Sequence, residues 1–352
     1  MRTKSFVFAG WLTAFCTPAM AQTPNYPTIG RIVRTDPRID KLIPKDARIE
    51  VLASGFNWSE GPIWVKNRGD RTAGPETGSY LLFSDVPENT IFKWTEKEGV
   101  KPFLKPSGYT GLGAYGGEPG SNGLTIDPQG RLIACEHGDK RVTAMPLDGS
   151  GGKRTLADNY NGKRFCSPND VVAGSDGSYY FTDPPYGMRQ GENDPNRETD
   201  SFGVYRIAPT KNGGAGNVTL LVGDLTRPNG IALSPDEKTL YVAQSDPKNP
   251  LVMAYPLQAD GSVGKGRTIF GSEGMKKQGL EGGFDGMKVD RSGNLWVTGA
   301  NGVLVLTATG EFLGHITIGN ATANCAWGDD GSTLYITADM HLCRIKTTAK
   351  GW

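Results

Sequence analysis

The sequence lacks the long apolar segments and the excess of one charge that mark several classes of protein. After residue 21, no window contains the roughly 18 consecutive apolar residues that a membrane-spanning helix requires. Lysine and arginine total 38 and aspartate and glutamate total 37, which leaves a net charge of +1. Such a balanced chain offers no strongly basic surface to nucleic acid or to an anionic membrane. We therefore expect neither of these partners, and a small molecule instead.

The sequence also lacks several motifs that carry chemistry. It has no C-x-x-C pair, and the spacing of its cysteines does not indicate a zinc site. No G-x-S-x-G motif is present, which argues against the nucleophile turn of α/β-hydrolases. The segment GLGAYGG at 111–117 matches the dinucleotide-binding pattern, but it continues into EPGSNG rather than into a helix. We interpret it as a flexible loop at the entrance of a site.

The first 21 residues have the features of an export signal. MRTK supplies positive charge, SFVFAGWLTAFC is a short apolar stretch, and Ala19-Met20-Ala21 is a small-x-small cleavage site. The mature chain is predicted to begin at Gln22 and to be periplasmic or secreted. Cysteines in such a compartment are either paired or buried as free thiols, and three pairings of four are open. The four that remain are Cys135, Cys166, Cys325 and Cys343.

A repeated hairpin pattern runs through the rest of the chain. With 49 glycines and 23 prolines, long helices are unfavourable, and an all-β protein is expected. In each copy, an Asn or an acidic residue precedes an apolar strand, a turn and a second strand. The copies are SEGPIWV with YLLFSDV, SNGLTIDPQGRLIACEHGD, SPNDVVAGSDGSYYFTD, RPNGIALSPDEKTLYVAQSD, FDGMKVDRSGNLWVTGA and ANCAWGDDGSTLYITAD. Six units of about 40–60 residues predict a six-bladed β-propeller with four-stranded blades.

The two ends of the chain are predicted to meet. The last unit ends at RIKTT and has only three strands, so we expect RIEVLAS at 48–54 to supply the fourth strand and close the ring. This gives a signal peptide at 1–21, an N-terminal arm at 22–45 and one propeller domain at 46–352.

The repeat brings six polar residues to one end of the propeller channel. The first strand of each blade lines that channel, so the residues that open these strands should form a ring at its mouth. They are Glu60, Asn122, Asn169, Asn229, Asp285 and Asn324. The second strands return to the same face, and their ends should surround this ring. These positions are Asp85, Glu136, His137, Asp183, Ser245, Asp246 and Asp339.

An all-oxygen ring of this kind suits a hard divalent cation. Turn chemistry alone explains a single Asn-Gly pair, but it does not explain Glu60 or the convergence of two acids with four amides. Carboxylate and amide oxygens without thiolate or imidazole favour Ca²⁺ or Mg²⁺. We expect one divalent cation, with Ca²⁺ first and Mg²⁺, Mn²⁺, Zn²⁺ and Fe²⁺ left open.

At these motifs the chain resembles the gluconolactonase and regucalcin (senescence marker protein) family, which includes diisopropylfluorophosphatase and a staphylococcal lactonase. The resemblance covers nearly the whole mature chain and is strongest in SEGPIW, SPNDVV, YFTDPPYG, RPNGIALSPD and DGMKVDRSGNLWVTG. Exported bacterial gluconolactonases are the nearest subgroup. The resemblance implies a six-bladed propeller whose cation is held by Glu60, Asn169, Asn229 and Asp285. Ser167 stands where regucalcin has an arginine, so regucalcin's sugar contacts do not carry over.

The expected activity is the metal-dependent hydrolysis of a sugar lactone, such as gluconolactone, by water. A cation polarises the ester carbonyl and stabilises the oxyanion, and Asp285 is the expected base, with direct nucleophilic attack left open. His137 is interpreted either as an acid or hydrogen-bond donor or as a structural residue. The predicted substrate-binding residues are Asn122, His137, Asp183, Tyr186 and Asn324. Hydrolysis of another activated ester or phosphotriester, and a non-catalytic sugar- or protein-binding propeller, are the alternatives. The oligomeric state is left open.

Overall fold

The computed structural model describes residues 25–66, 78–211, 214 and 216–352, and the predicted export signal at 1–21 lies outside these residues. The described chain forms six antiparallel sheets of at least four strands, together with a small two-stranded hairpin. The predictions of an all-β chain and of a six-bladed β-propeller are confirmed. None of the helices in the described ranges has the length and the hydropathy needed to cross a bilayer.

The N-terminal segment contributes two strands before the first blade. β1 (Arg31–Arg34) is followed by a 3-10 helix (Pro37–Lys41) and by β2 (Ile49–Ser54). Blade 1 then contains β3 (Ser59–Val65), β4 (Tyr80–Asp85), β5 (Thr90–Thr95) and β6 (Gly99–Leu104). Blade 2 contains β7 (Ser121–Ile126), β8 (Arg131–Glu136), β9 (Arg141–Pro146) and β10 (Arg154–Ala157). The two-stranded hairpin of β11 (Asn159–Tyr160) and β12 (Lys163–Arg164) follows blade 2.

The remaining four blades continue in chain order. Blade 3 contains β13 (Val171–Ala173), β14 (Tyr179–Asp183), a 3-10 helix (Gly191–Asn193), β15 (Gly203–Ile207) and β16 (Val218–Val222). Blade 4 contains β17 (Pro228–Leu233), β18 (Thr239–Gln244), β19 (Leu251–Pro256) and β20 (Arg267–Gly271), and the helix α1 (Ser272–Lys277) follows it. Blade 5 contains β21 (Phe284–Val289), β22 (Leu295–Gly299), β23 (Gly302–Leu306) and β24 (Phe312–Thr317). Blade 6 contains β25 (Asn324–Gly328), β26 (Thr333–Ala338) and β27 (His341–Lys346).

The N-terminal segment closes the ring as predicted. β2 pairs antiparallel with β27, with Ile49 opposite Ile345, and becomes the outer strand of blade 6. Arg344 strengthens this seam because its guanidinium lies 2.6 Å from carboxylate oxygens of both Glu50 and Glu96. β1 adds an outer fifth strand to blade 5 by pairing with β24. This strand lies in the segment predicted only as an N-terminal arm at 22–45, and the repeat does not predict it.

The core lies between neighbouring blades. Because both faces of each blade are covered, the strands β22, β23, β25 and β26 are buried at every position rather than at alternate ones. Between blades 5 and 6, the rings of Trp296 and Trp327 meet edge to face with centroids 5.0 Å apart. This packing holds the innermost strands in place and so positions the residues at the channel mouth.

The four cysteines within the described ranges, Cys135, Cys166, Cys325 and Cys343, are buried free thiols in this structure. Burial raises the pKa of Cys166, Cys325 and Cys343 to about 12, and it also raises the pKa of Cys135. Thiolate is the nucleophilic form of cysteine, so these residues are poor candidates for chemistry. Of the two alternatives that the sequence left open, the structure shows free thiols.

A buried histidine of β24 should make the stability of the fold depend on pH. His315 is 4% exposed, and burial lowers its pKa to about 4. An unfolded histidine titrates near 6.5, so the unfolded state takes up a proton first as the pH falls. The stabilisation is complete above about pH 6.5 and is lost towards pH 4. We expect the free energy of unfolding to fall by about 2 kcal/mol from this residue between pH 7 and pH 5.

Denaturant melts of wild type and His315→Gln at both pH values measure this contribution. In His315→Gln, the free energy of unfolding should lose the part of its pH dependence that comes from His315. The control is His341→Asn, at a half-buried site, in which this part should remain. Equal pH slopes for wild type and His315→Gln would contradict the prediction.

Candidate active site at one mouth of the channel

The innermost strands of the six blades form a closed ring. β3, β7, β13, β17, β21 and β25 contact one another in this order, and β25 contacts β3. In blades 1, 2, 4 and 5, the register of pairing between the innermost strand and the second strand shifts at the ring residue. These four residues, which therefore lie at β-bulges, are Glu60, Asn122, Asn229 and Asp285. A bulge bends its strand and re-aims a side chain, and it occurs often beside active sites. Here it turns the polar side chains towards the channel mouth.

Glycine follows four of the six ring residues, and it has a packing role there that differs from turn formation. A Cβ at Gly61, whose φ is +47°, would overlap the carbonyl oxygen of Asn122 in the next blade. A Cβ at Gly230 would likewise overlap the carbonyl oxygen of Asp285. Glycine therefore lets the backbones of adjacent innermost strands approach closely. In the Asn-Gly motif, the glycine thus lies at a close contact between two blades, and the asparagine lies at the β-bulge.

Five of the six predicted ring residues line one cavity of about 300 Å³ at the channel mouth. They are Glu60, Asn122, Asn169, Asn229 and Asp285. The cavity wall also includes Trp58, Glu118, Tyr186, Ser245, Glu281, Phe284, Asn301 and Thr322. This combination of a polar floor with aromatic and polar walls is typical of a small-molecule site.

The floor of this cavity contains buried oxygen atoms with unmet hydrogen-bonding capacity. The Oδ1 atoms of Asn122, Asn169, Asn229 and Asp285 are all buried, and none has a hydrogen-bond partner within the described part of the chain. Leaving one such group unsatisfied costs about 1–3 kcal/mol, so four at one point require an explanation. A bound cation or a polar ligand would supply it.

The two acids of the ring are destabilised as charged groups. Burial raises the pKa of Glu60 to about 8 and also raises the pKa of Asp285. The negative charge of Glu60 raises the pKa of Asp285 further, and the negative charge of Asp170 raises the pKa of both residues. Neighbouring amides partly offset this, because Asn324 hydrogen-bonds to Glu60 and Asn229 to Asp285. A positive charge between the two acids would remove the remaining repulsion.

Asn324, the sixth predicted ring residue, is buried and is not part of the cavity lining. Its Nδ2 donates to Asp170 Oδ2 at 3.4 Å, and its Oδ1 accepts from Cys325 N at 2.9 Å and from Lys288 Nζ at 3.4 Å. The amide therefore links a buried carboxylate to an ammonium group. Sequence reasoning missed Asp170 and Lys288, although a lysine inside the apolar strand FDGMKV was an available signal.

Two acids at the ends of second strands anchor loops rather than face the cavity. Asp183 accepts from Cys166 N at 2.8 Å and from Ser167 N at 2.7 Å, and Asp85 accepts in the same way from the amides of Asn57 and Trp58. Burial raises the pKa of Asp183 to about 7 although both amides lower it. Both carboxylates thus hold the loops that lead into innermost strands, and Asp183 is absent from the cavity lining.

Three further residues complete the site. Tyr186 lies on the cavity wall, where its hydroxyl contacts the Ser245 hydroxyl. His137 is fully buried behind Asn169, with its Nε2 3.5 Å from Asn169 Nδ2. Glu118, which sequence reasoning missed, lines the cavity and has Oε2 3.4 Å from His137 Nδ1. Glu118 lies outside the repeated hairpins, so their pattern does not reveal it.

The donor set fits a hard cation only if amide oxygens take part. Across the described ranges, no group of three or more His, Cys, Asp or Glu side chains is arranged to hold a metal ion. The ring instead combines the carboxylates of Glu60 and Asp285 with the unpartnered amide oxygens of Asn169 and Asn229. Carboxylates together with amide carbonyls are ordinary ligands of Ca²⁺. The residues present therefore fit such an ion.

Comparison with known proteins finds similar sequences and structures over most of the chain. The family described as SMP-30/Gluconolactonase/LRE-like region matches residues 58–339. The chain is 40% identical over 336 residues to a gluconolactonase of Zymomonas mobilis, with 93% of this chain and 89% of the relative covered. A solved Xanthomonas campestris gluconolactonase matches with a TM-score of 0.74 and 29% identity, over 92% of this chain and 98% of that one. A calcium-binding regucalcin of Agrobacterium tumefaciens shares the fold, with a TM-score of 0.62 and 19% identity over 86% and 94% of the two chains.

Proposed function

The chain belongs to the SMP-30/gluconolactonase/LRE-like family, and from this membership we propose that it is an exported, divalent-cation-dependent lactonase that opens sugar lactones. The observation that carries the proposal is the cluster of buried, unpartnered oxygen atoms on the cavity floor. The relatives named as gluconolactonases support an aldonolactone as the substrate.

Glu60, Asn169, Asn229 and Asp285 would hold the cation. When bound, a divalent ion polarises a lactone carbonyl and stabilises the oxyanion that forms when water attacks. Two carboxylates balance its charge, and the neutral amides leave it electron-poor enough to act as a Lewis acid. Ca²⁺ is proposed because all four ligands are oxygen donors.

Asp285 is the proposed base. Its Oδ1 is buried at the cavity floor without a hydrogen-bond partner in the described chain, while the amide of Asn229 hydrogen-bonds to the carboxylate. A carboxylate has two oxygens with about four lone-pair sites, so Asp285 could hold the cation and also accept a proton from the attacking water. The carbon–oxygen bond of the lactone ring then breaks, and the ring oxygen leaves as a hydroxyl group by taking the proton that Asp285 accepted from water, which regenerates the carboxylate. The product is the open hydroxy acid.

The site walls are proposed to bind the hydroxyl groups of the sugar. Asn122 and Tyr186 lie on the cavity wall, together with Ser245 and Asn301. His137, Asp183 and Asn324 were also predicted to bind substrate, but none of them lines the cavity, and each contacts other protein groups. Asn122 and Tyr186 are therefore the residues proposed to contact the substrate.

Metal depletion tests this function directly. Protein treated with a chelator and then dialysed should lose hydrolysis of glucono-δ-lactone, and adding back Ca²⁺, Mg²⁺, Mn²⁺, Zn²⁺ or Fe²⁺ singly should identify the ion that restores it. Aryl esters and a phosphotriester in the same panel measure the alternative substrates. Thermal melts before and after depletion control for unfolding. Full activity in protein shown to be metal-free would exclude the proposed mechanism.

A further inference from the structure

The wall of the cavity carries more negative charge than a divalent cation would balance. Of the described residues that line the cavity, four are acidic and none is Lys, Arg or His; the acids are Glu60, Glu118, Glu281 and Asp285. In the proposed function, Glu60 and Asp285 supply the two negative charges that balance the cation. Glu118 and Glu281 therefore remain as net negative charge beside the site.

These two wall acids lie in loops outside the repeated hairpins. Glu118 is in the loop between β6 and β7, and Glu281 is in the loop between α1 and β21. Each lies four positions before the ring residue of the next strand, which is Asn122 in the first case and Asp285 in the second. The two carboxylates therefore reach the cavity from two different blades.

The backbone of both loops is packed against a neighbouring blade. In the loop that carries Glu118, Gly120 N donates to Val86 O at 2.9 Å. In the loop that carries Glu281, a Cβ at Gly283 would overlap the carbonyl oxygen of Ser245. These close contacts hold the wall acids beside the cavity.

Neither wall acid is paired with a lysine or an arginine within the described part of the chain. Glu118 has Oε2 3.4 Å from His137 Nδ1, and that ring is positive only when it is protonated. Arg227, near the cavity wall, is already paired with Glu192, because its Nε lies 2.6 Å from a Glu192 carboxylate oxygen. Glu281 is exposed at the rim of the cavity. The negative charge of the wall is thus not balanced by these side chains.

This charge matters because hydrolysis changes the charge of the bound molecule. An aldonolactone is neutral, but its product is a hydroxy acid whose carboxyl group is ionised at neutral pH, since carboxyl groups titrate near pH 4. Like charges a few ångströms apart in a partly exposed site repel each other enough to change binding several-fold. The wall acids therefore repel the product but not the substrate.

We propose that Glu118 and Glu281 make the cavity selective for uncharged lactones and weaken its binding of the anionic product. This inference rests on the proposed lactonase function and narrows its substrate class. Lactones that carry a phosphate or carboxylate substituent are disfavoured for the same reason as the product. Neither residue takes part in breaking the ester bond.

Two lactones that differ in charge test the proposal. Glucono-δ-lactone is neutral, whereas 6-phosphoglucono-δ-lactone carries up to about two negative charges on the same ring. For cation-loaded wild type, kcat/KM should be at least about tenfold lower for the phosphorylated lactone. Glu118→Gln and Glu281→Gln keep the size of the side chain and remove its charge. Each should raise kcat/KM for the phosphorylated lactone, relative to the neutral one, about threefold to tenfold.

Glu237→Gln is the matched control, because it makes the same change in net charge away from the cavity. Glu237 lies in the turn between β17 and β18, at the opposite end of β17 from Asn229. Its substitution should leave the ratio of the two kcat/KM values within about twofold of wild type. The cation content of every protein is measured first, because the charge of Glu118 acts on Glu60 and Asp285.

Binding of the product provides a readout that does not depend on turnover. Calorimetry with sodium gluconate and cation-loaded protein measures it directly. The dissociation constant should be about twofold to fivefold lower in Glu118→Gln and in Glu281→Gln than in wild type, the range for loss of one partly exposed charge. Glu237→Gln should bind gluconate as wild type does.

The possible results separate this inference from the proposed function. If wild type hydrolyses both lactones equally well, or if Glu118→Gln and Glu281→Gln change neither the ratio of kcat/KM values nor the affinity for gluconate, charge selection is overturned while lactone hydrolysis stands. Absence of lactone hydrolysis by the cation-loaded wild type would overturn the proposed function and this inference with it.

Discussion

Replacing Asp285 by asparagine should lower kcat/KM for glucono-δ-lactone by about a thousandfold or more. The change removes the proposed base, a group that typically contributes 10²- to 10⁴-fold, and it also removes one of the two anionic cation ligands. The shape of the side chain is nearly unchanged, and its amide can still fill the cavity floor. Steady-state kinetics at saturating cation, with calorimetry of cation binding, measure the two losses separately.

Asn229→Asp is the matched opposite change. It adds a carboxylate beside Asp285 at a position that the structure places on the same cavity floor. Cation binding should be equal or tighter, because a third acid attracts the ion, while turnover should slow because added negative charge weakens its Lewis acidity. Wild-type kinetics in both variants would refute the assignment of the site.

Isotope labelling distinguishes the two roles considered for Asp285. If it acts as a base, a single turnover in H₂¹⁸O places the label in the product acid and none in the enzyme. If it attacks the carbonyl directly, a mixed anhydride forms, and attack of labelled water on the Asp285 carboxyl carbon of this anhydride leaves the label in the Asp285 carboxylate. Mass spectrometry of the peptide that contains Asp285 gives the answer.

Tyr186→Phe and Asn122→Ala should separate recognition of a sugar from chemistry on an ester. Both residues line the cavity, and a polar group buried without its partner costs about 1–3 kcal/mol. We therefore expect kcat/KM for an aldonolactone to fall about tenfold to a hundredfold. Phenyl acetate has no hydroxyl groups for these residues to bind, so its hydrolysis should change little.

Tyr115→Phe is the control for this pair of variants. Tyr115 also uses its hydroxyl for a hydrogen bond, to Gly187 O, but it is not part of the cavity lining. Loss of the Tyr115 hydroxyl should leave the ratio of kcat/KM for the aldonolactone to kcat/KM for phenyl acetate unchanged. Metal content is measured first, because Asn122 Oδ1 lies among the unpartnered oxygens and a lost cation would depress both activities. Parallel losses on both substrates with the cation retained would contradict a role in reading the sugar.

The repeated hairpin was sufficient to predict the blades, the ring closure and the five residues that meet in the cavity. Each of these depends on a local sequence pattern that recurs in every blade. Because the blades are arranged around one axis, equivalent residues of successive repeats lie at equivalent positions around the channel. The fifth strand of blade 5 was not predictable in this way, because β1 pairs with β24 across nearly the whole chain and breaks the repeat. Its sequence RIVR alternates as many exposed strands do.

Asp183 and Asn324 were predicted to bind substrate but do not line the cavity, so the repeat alone does not predict the contacts of their side chains. Asp183 ends its strand at the expected point, but the loop before Asn169 turns its backbone amides towards the carboxylate and occupies both oxygens. Asn324 occupies an equivalent ring position, yet Asp170 and Lys288 from two other blades engage its amide. These partners are more than 30 residues away in sequence, and only three-dimensional packing brings them together.

The seam between β2 and β27 also bears on how the chain is made. Glu50 and Arg344, which form an ion pair across it, are 294 residues apart. A ribosome therefore completes nearly the entire polypeptide before the first strand of this seam meets its partner. Until then blade 6 lacks its outer strand, and closing so long a loop is an entropically costly and slow step. Ring closure is thus postponed to the end of synthesis.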